Sequence, residues 1–300
     1  MTAPEPAPIV PGPLVDADWL DAHHDDPRLR ILDATVGVAV ENGVRRWVDG
    51  REAFEKDGHI PGAQHADLIR RFSAESDQDF ALPAADRFAT AAASLGITEH
   101  STVVVYDTTS TTWATRLRWL FRYFGHRDVA VLDGGLHAWT SSGRAPEYGP
   151  AAPVTVDSKD GPLRAVPRTA ETITTDGLRG ALEDGELLVV SALPAADFTG
   201  ERSPRPRAGR IPGSINIPAG VLADPDTHRI RPLTELRQLL APVLDHDGPV
   251  VVHCGAGVSA TYPLLALELL GRDDVLLYEE SLNVWAADPA NPLETGPASD

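Results

Sequence analysis

A short sequence motif occurs twice in this chain, and this repeat limits the folds that the chain can adopt. Gly58-His59-Ile60-Pro61-Gly62-Ala63 returns about 150 residues later as Gly209-Arg210-Ile211-Pro212-Gly213-Ser214. Two valine-rich runs, Val103 to Asp107 and Val250 to Cys254, are separated by nearly the same offset, and each precedes a helical stretch, a glycine and a second apolar run. Matching signatures at matching offsets indicate an internal duplication. A length of 300 residues also suits two domains.

The repeat predicts an α/β fold built from two tandem domains. Strands that alternate with helical patterns favour a parallel sheet flanked by helices in each copy. We expect an N-terminal domain over residues 10–145 and a C-terminal domain over 168–300. Residues 146–167 are rich in Ser, Gly, Pro and Ala without a sustained apolar period, which is typical of a linker.

The only cysteine, Cys254, follows the second valine run directly. A glycine-rich turn comes next, and a helical pattern begins near Ala260, so the thiol is predicted at the carboxyl end of a buried strand. Backbone N–H groups of such a turn stabilise an anion, which favours a thiolate or a persulfide on Cys254. The predicted contacts come from the loop residues Gly255, Ala256, Gly257, Val258 and Ser259. The alternative is a buried cysteine that packs as a small apolar residue.

Two other cysteine chemistries fit the sequence less well. Cysteine phosphatases follow the pattern His-Cys-x5-Arg, in which the arginine grips phosphate, but the sixth residue after Cys254 is Ala260. A lone cysteine also lacks the paired ligands of a structural zinc site. A phosphatase remains a remote alternative, and no metal or organic cofactor is predicted.

The composition limits the partners and the compartment. A formal net charge of −18 and a pI near 4.9 argue against binding to nucleic acid, which needs a basic face. No apolar run approaches a membrane-spanning length and residues 1–13 do not look like a signal peptide, so a cytoplasmic protein is expected. A single cysteine has no resolving partner in the chain, so an external acceptor would have to remove any sulfur it carried.

The run from Cys254 to Ala260 resembles the active loop of the two-domain rhodanese family, which comprises thiosulfate and 3-mercaptopyruvate sulfurtransferases. Gly255 and Ala256 make the loop more similar to the 3-mercaptopyruvate branch. The resemblance implies two rhodanese-like domains and a Cys254 persulfide. It also implies a small sulfur donor or a persulfide-donating protein, and a thiol, a cyanide-like molecule or a protein as acceptor.

In the first copy Asp107 stands in the place of the cysteine. That domain is therefore predicted to be a scaffold without the nucleophile, although Leu132-Asp133-Gly134-Gly135 resembles the closing segment of the family's N-terminal domain.

The family pattern fails where its substrate-binding arginines are expected, because Leu193 and Asp197 stand in their places. Replacing a guanidinium by a carboxylate turns attraction for an anionic substrate into repulsion. An arginine-rich segment follows, and we hypothesise that its Arg202 or Arg210 supplies part of the lost charge.

The proton relay of the 3-mercaptopyruvate branch is also missing, since Ala256 stands where its serine is expected. These departures favour a changed substrate, such as a protein persulfide in a specialised biosynthetic pathway. They also leave open a rhodanese-fold module that binds or regulates without catalysis.

Overall fold

A computed structural model describes residues 9–154, 161–185 and 187–297. Of the predicted linker over 146–167, residues 155–160 lie outside the described residues, as do residues 186 and 298–300 of the predicted C-terminal domain. The chain forms two compact units. The first combines residues up to Glu75 with Leu82–Pro167 and Asp226–Arg229, and the second combines Ser76–Ala81, Arg168–Pro225 and the chain from Ile230 onward.

The first unit is a parallel sheet with helices between its strands. Its elements are β1 (Leu14–Val15), α1 (Ala17–Ala22), β2 (Leu29–Asp33), β3 (Val36–Glu41), β4 (Val44–Asp49), α2 (Arg51–Asp57), β5 (Gln64–His65), α3 (Ala85–Ser94), β6 (Thr102–Tyr106), α4 (Thr112–Tyr123), β7 (Val129–Leu132) and α5 (Gly135–Ser141). The described strands run in the order β1-β7-β6-β2-β5, all parallel, and β3 and β4 form a separate antiparallel hairpin. Every residue of β6 and β7 is buried, as expected for strands covered on both faces.

The second unit repeats this plan with fewer strands. Its elements are a 3₁₀ turn (Thr169–Glu171), α6 (Thr175–Asp184), β8 (Leu188–Ser191), α7 (Ala195–Phe198), β9 (Ile215–Asn216), a 3₁₀ turn (Ala219–Leu222), α8 (Leu233–Leu239), α9 (Ala241–Leu244), β10 (Val250–His253), α10 (Thr261–Leu269), β11 (Leu276–Leu277) and α11 (Ser281–Ala287). The described strands are parallel in the order β11-β10-β8-β9, which puts β10 inside the sheet. The predicted α/β fold with two tandem domains is confirmed.

Each unit includes a short segment from the other half of the chain. Ser76–Ala81 belongs to the second unit, where Nε2 of Gln78 donates to the carbonyl of Glu280 at 3.4 Å. Asp226–Arg229 belongs to the first unit, where the hydroxyl of Thr111 donates to the carbonyl of His228 at 3.2 Å. The two compact units therefore do not coincide with two continuous stretches of sequence.

The described residues of the predicted linker pack on the first unit. Glu147 pairs its backbone with His59 in an antiparallel bridge, and Pro162 bridges to Thr98. Leu163 is buried. This stretch adds contacts to the first unit, while the predicted boundaries at 145 and 168 stay a prediction.

No described helix is long and apolar enough to cross a membrane.

Candidate functional site

Cys254 lies at the carboxyl end of β10, between the neighbouring strands β8 and β11. All of β10 is buried, and Cys254 is 2% exposed. The chain then turns through Gly257, whose φ of +71° is in the left-handed region that favours glycine, and α10 begins at Thr261. The thiol is thus at the edge of the sheet where parallel α/β folds bind their ligands.

The loop after Cys254 holds backbone donors without an acceptor. Among the residues that the structure describes, nothing accepts a hydrogen bond from the N–H groups of Ala256, Val258 or Ala260. Backbone donors in protein interiors are almost always paired. An unpaired set beside a thiol is therefore suited to an anion, either the thiolate itself or a sulfur attached to it.

The first unit shows where such donors point. Five backbone N–H groups donate to the carboxylate of Asp107 at 2.9 to 3.1 Å, those of Thr109, Ser110, Thr111, Trp113 and Ala114. These are the second, third, fourth, sixth and seventh residues after Asp107. Ala256, Val258 and Ala260 are the second, fourth and sixth residues after Cys254. The first unit fills this loop with its own carboxylate, whereas no described group of the second unit accepts from the matching N–H groups of Ala256, Val258 and Ala260.

A guanidinium lies against the loop beside the thiol. The Nε of Arg205 donates to Oδ1 of Asn283 at 2.7 Å, which fixes the direction of the side chain. A Cβ placed on Gly255 would lie 2.8 Å from Nη2 of Arg205 and 3.8 Å from Cδ2 of Leu193. The missing side chain of Gly255 thus lets Arg205 approach the backbone next to Cys254, with Leu193 as an apolar neighbour.

The positive charge next to the loop is on Arg205 and not on His253, which adjoins Cys254 in the chain. Burial lowers the pKa of Arg205, although the negative charges of Asp197 and Cys254 oppose this effect. Burial also lowers the pKa of His253 to about 4, against the hydrogen bond that its Nδ1 donates to the carbonyl of Cys254 at 3.1 Å, and the charge of Arg205 lowers it further. At neutral pH His253 is therefore uncharged, and Arg205 is the cation beside the loop.

The two arginines predicted from the sequence make other contacts. Nε and Nη2 of Arg202 bind the two carboxylate oxygens of Asp197 at 2.8 and 3.1 Å, and the Arg202 side chain is 65% exposed. Arg210 is buried and donates to the carbonyls of Gly296 and Pro297 at 2.6 and 3.2 Å. Arg202 thus neutralises the carboxylate that replaces a family arginine, and Arg210 holds the C-terminal segment.

Sequence reasoning singled out the segment that contains Arg205 but did not select this residue. The available signal was its position between Pro204 and Pro206, since proline restricts the backbone and so limits where the intervening side chain can point. The deciding contact, Asn283, is 78 residues away along the chain, so only the fold reveals it.

The fold and the site define a class of protein, a tandem α/β protein with a free cysteine at the end of a buried strand, followed by a loop of backbone N–H donors. Within the described ranges, no cluster of three or more His, Cys, Asp or Glu side chains could hold a metal ion.

The model of the rhodanese-like domain matches residues 16–142 and 174–288 of the chain. The 3-mercaptopyruvate sulfurtransferase of Escherichia coli is 31% identical over 287 residues, covering 93% of this chain and 97% of that protein. The sulfur carrier protein TtuD of Thermus thermophilus is 30% identical, with 95% and 98% covered. The crystal structure of SseA from Escherichia coli, a 3-mercaptopyruvate sulfurtransferase, superposes with a TM-score of 0.76 at 30% identity, covering 90% of this chain and 98% of SseA. The chain belongs to the rhodanese family of two-domain sulfurtransferases.

Proposed function

We propose that Cys254 carries sulfur as a persulfide between two transfers. In the first, the thiolate Sγ attacks the outer sulfur of a donor. A bond forms between the two sulfur atoms, and the electron pair of the donor's broken bond leaves with the rest of the donor. In the second, a nucleophilic acceptor attacks the outer sulfur, and the electron pair of the S–S bond returns to Cys254.

The observation that carries this proposal is the set of unpaired N–H groups beside Cys254. The persulfide is an anion at neutral pH, and preorganised backbone donors stabilise such a charge without reorganising. In the first unit the same positions hold the carboxylate of Asp107, so the loop geometry suits one negative charge. The predicted sites Gly255, Ala256, Gly257, Val258 and Ser259 form this loop in the proposal.

Arg205 would hold an anionic donor while Cys254 attacks it. Its guanidinium lies against Gly255 and is oriented by Asn283, so it can donate hydrogen bonds to a negatively charged group next to the thiol. This role replaces the one that the sequence suggested for Arg202 and Arg210.

The donor class is inferred from a group that the site lacks: this chain has Ala256 where the 3-mercaptopyruvate branch carries a serine. Thiosulfate releases sulfite, and a persulfide releases a thiolate; both depart as stable anions without a proton. 3-Mercaptopyruvate releases the enolate of pyruvate, which must take a proton on carbon, and Ala256 stands where the related branch carries a serine. We therefore infer that thiosulfate or a persulfide, including one on a protein, is preferred. Similarity to a sulfur carrier protein supports a protein in the transfer chain. A thiol or a cyanide-like nucleophile serves as acceptor, and a cytoplasmic location stays a prediction.

Intact-protein mass spectrometry tests the proposal. The wild-type chain is incubated separately with thiosulfate, 3-mercaptopyruvate and a small-molecule persulfide, with Cys254→Ser as the control. We expect the mass of one sulfur atom to be gained by the wild type only, fastest with thiosulfate or the persulfide. No gain with any donor would refute the proposal and favour a rhodanese-fold module without catalysis.

Three arginine variants locate the donor-binding charge. Arg205→Met should slow loading from thiosulfate about tenfold or more, because a hydrogen bond to a charged group contributes about 1.5 to 3 kcal/mol. Arg202→Met and Arg210→Met remove the same charge from positions that bind Asp197 and the C-terminal segment. A loss of loading confined to either of those two variants would place the donor site there and not at Arg205.

A further inference from the structure

Ser281 holds the Cys254 loop through its hydroxyl group. Its Oγ accepts hydrogen bonds from the N–H of Cys254 at 3.2 Å and of Gly257 at 3.1 Å, and it donates to the carbonyl of Tyr278 at 2.8 Å. The side chain is fully buried. One hydroxyl therefore occupies two of the backbone donors that surround the thiol.

This serine is kept in a backbone conformation that disfavours it. Its φ is +56°, in the left-handed region, where a residue with a Cβ is strained. The corresponding residue of the first unit is Gly135, with a φ of +53°. The correspondence follows from strand pairing, since Val131 lies opposite Val105 as Leu277 lies opposite Val252, four residues before each position. A glycine would fit at 281 without strain, so the hydroxyl is the feature that the serine adds.

The two units also differ in how many donors reach the central charge. The third residue after Asp107 is Ser110, and its N–H donates to the carboxylate at 2.9 Å. The third residue after Cys254 is Gly257, and its N–H donates to Ser281 instead. The serine thus diverts a donor that the first unit directs to its anion.

We propose that Ser281 is a positioning residue that weakens the hold of the loop on the persulfide so that sulfur can be released. The inference rests on the proposed function. In the release step, cyanide as probe acceptor attacks the outer sulfur, a C–S bond forms, the S–S bond breaks and its electron pair goes to Cys254, giving thiocyanate. Each N–H that holds the outer sulfur stabilises the persulfide relative to the transition state, in which charge has moved toward Sγ. Diverting Gly257 therefore speeds release.

Ser281→Gly and Ser281→Ala separate this role from a structural one. Both variants remove the hydroxyl, so the N–H of Gly257 loses Oγ of Ser281 as its acceptor and can turn toward the sulfur. Glycine also relieves the strain of the positive φ, whereas alanine keeps it, so the glycine variant should unfold at the higher temperature. The chains are loaded with inorganic polysulfide, excess reagent is removed, and loss of the sulfur to cyanide is followed by intact mass and by thiocyanate formation.

We expect both variants to release sulfur more slowly than the wild type, by about tenfold for one charge-assisted hydrogen bond of about 1.4 kcal/mol. Unchanged or faster release in the glycine variant would overturn the proposal. So would slow release in the alanine variant alone, in step with its lower unfolding temperature, because that pattern belongs to a structural role.

Loading with polysulfide separates this inference from the proposed function. A wild-type chain that takes up sulfur from polysulfide, but from none of the three donors, would refute the first transfer of the proposed function and still give the comparison of release rates. A chain that takes up no sulfur even from polysulfide would overturn both.

Discussion

Asp107 can be tested as the internal anion of the first unit by replacing it with asparagine. The change keeps the shape of the side chain but exchanges one carboxylate oxygen for an NH₂ group. One oxygen accepts three backbone N–H groups and the other accepts two, so at least two donors lose their acceptor in either orientation. An unpaired buried donor costs about 1 to 3 kcal/mol. The free energy of unfolding should therefore fall by about 2 kcal/mol or more, which lowers the midpoint of thermal unfolding by roughly 4 °C or more.

Asp107→Ala makes the sharper version of this test. It removes the carboxylate altogether and leaves the donors around an open space that a small anion can enter. An anion at 100 times its dissociation constant would restore about 2.7 kcal/mol. We expect sulfate or thiosulfate to raise the unfolding temperature of this variant more than that of the wild type in the same salt, a comparison that removes the general stabilisation by sulfate.

Asp86→Asn is the matched control, since Asp86 is exposed and accepts a single backbone hydrogen bond, from Arg87 at 2.8 Å. Its midpoint should move by less than about 2 °C, as is usual for a surface substitution. The reasoning would be refuted if Asp107→Asn unfolded like this control, or if the anions stabilised Asp107→Ala no more than they stabilise the wild type.

Two further predictions concern the second unit. The pKa of His253, about 4 in the folded chain against 6.5 in the unfolded one, means that its contribution to stability is full above about pH 6.5 and declines by up to about 3 kcal/mol as the pH falls toward 4. His253→Asn should flatten that slope in urea unfolding at a series of pH values, and an unchanged slope would contradict the assignment. Gly255→Ala should displace Nη2 of Arg205 and slow sulfur loading in a mass time course while the unfolding temperature stays near that of the wild type, because the flexible end of Arg205 can move. Loading at the wild-type rate would show that the close approach of Arg205 is not needed.

The sequence was sufficient for the plan of the fold. The repeated Gly-x-Ile-Pro-Gly signature and the valine runs predicted two parallel α/β copies, because strand period and strand-to-loop junctions are local properties of sequence. The position of Cys254 at the end of β10 follows from the same local pattern.

The contacts of the side chains around Cys254 could not be predicted in the same way. Arg205 and Asn283 meet only because the fold brings distant segments together, and Arg202 is exposed and pairs with Asp197, five residues before it. The role of Ser281 depends on a φ value and on two backbone hydrogen bonds, none of which a residue pattern contains. Side chains that act through contacts between distant segments were therefore beyond what the sequence alone could provide.

The exchange of segments between the units has a consequence for synthesis on the ribosome. The first unit includes Asp226–Arg229, so it lacks a part of its own structure when residue 167 has been made. At about 5 to 20 residues per second, the missing segment follows roughly 3 to 12 seconds later. Ser76–Ala81 waits longer still, because its partner Glu280 is among the last residues to be translated. The first unit can therefore be completed only after translation of the second has begun, and the second only near the end of translation.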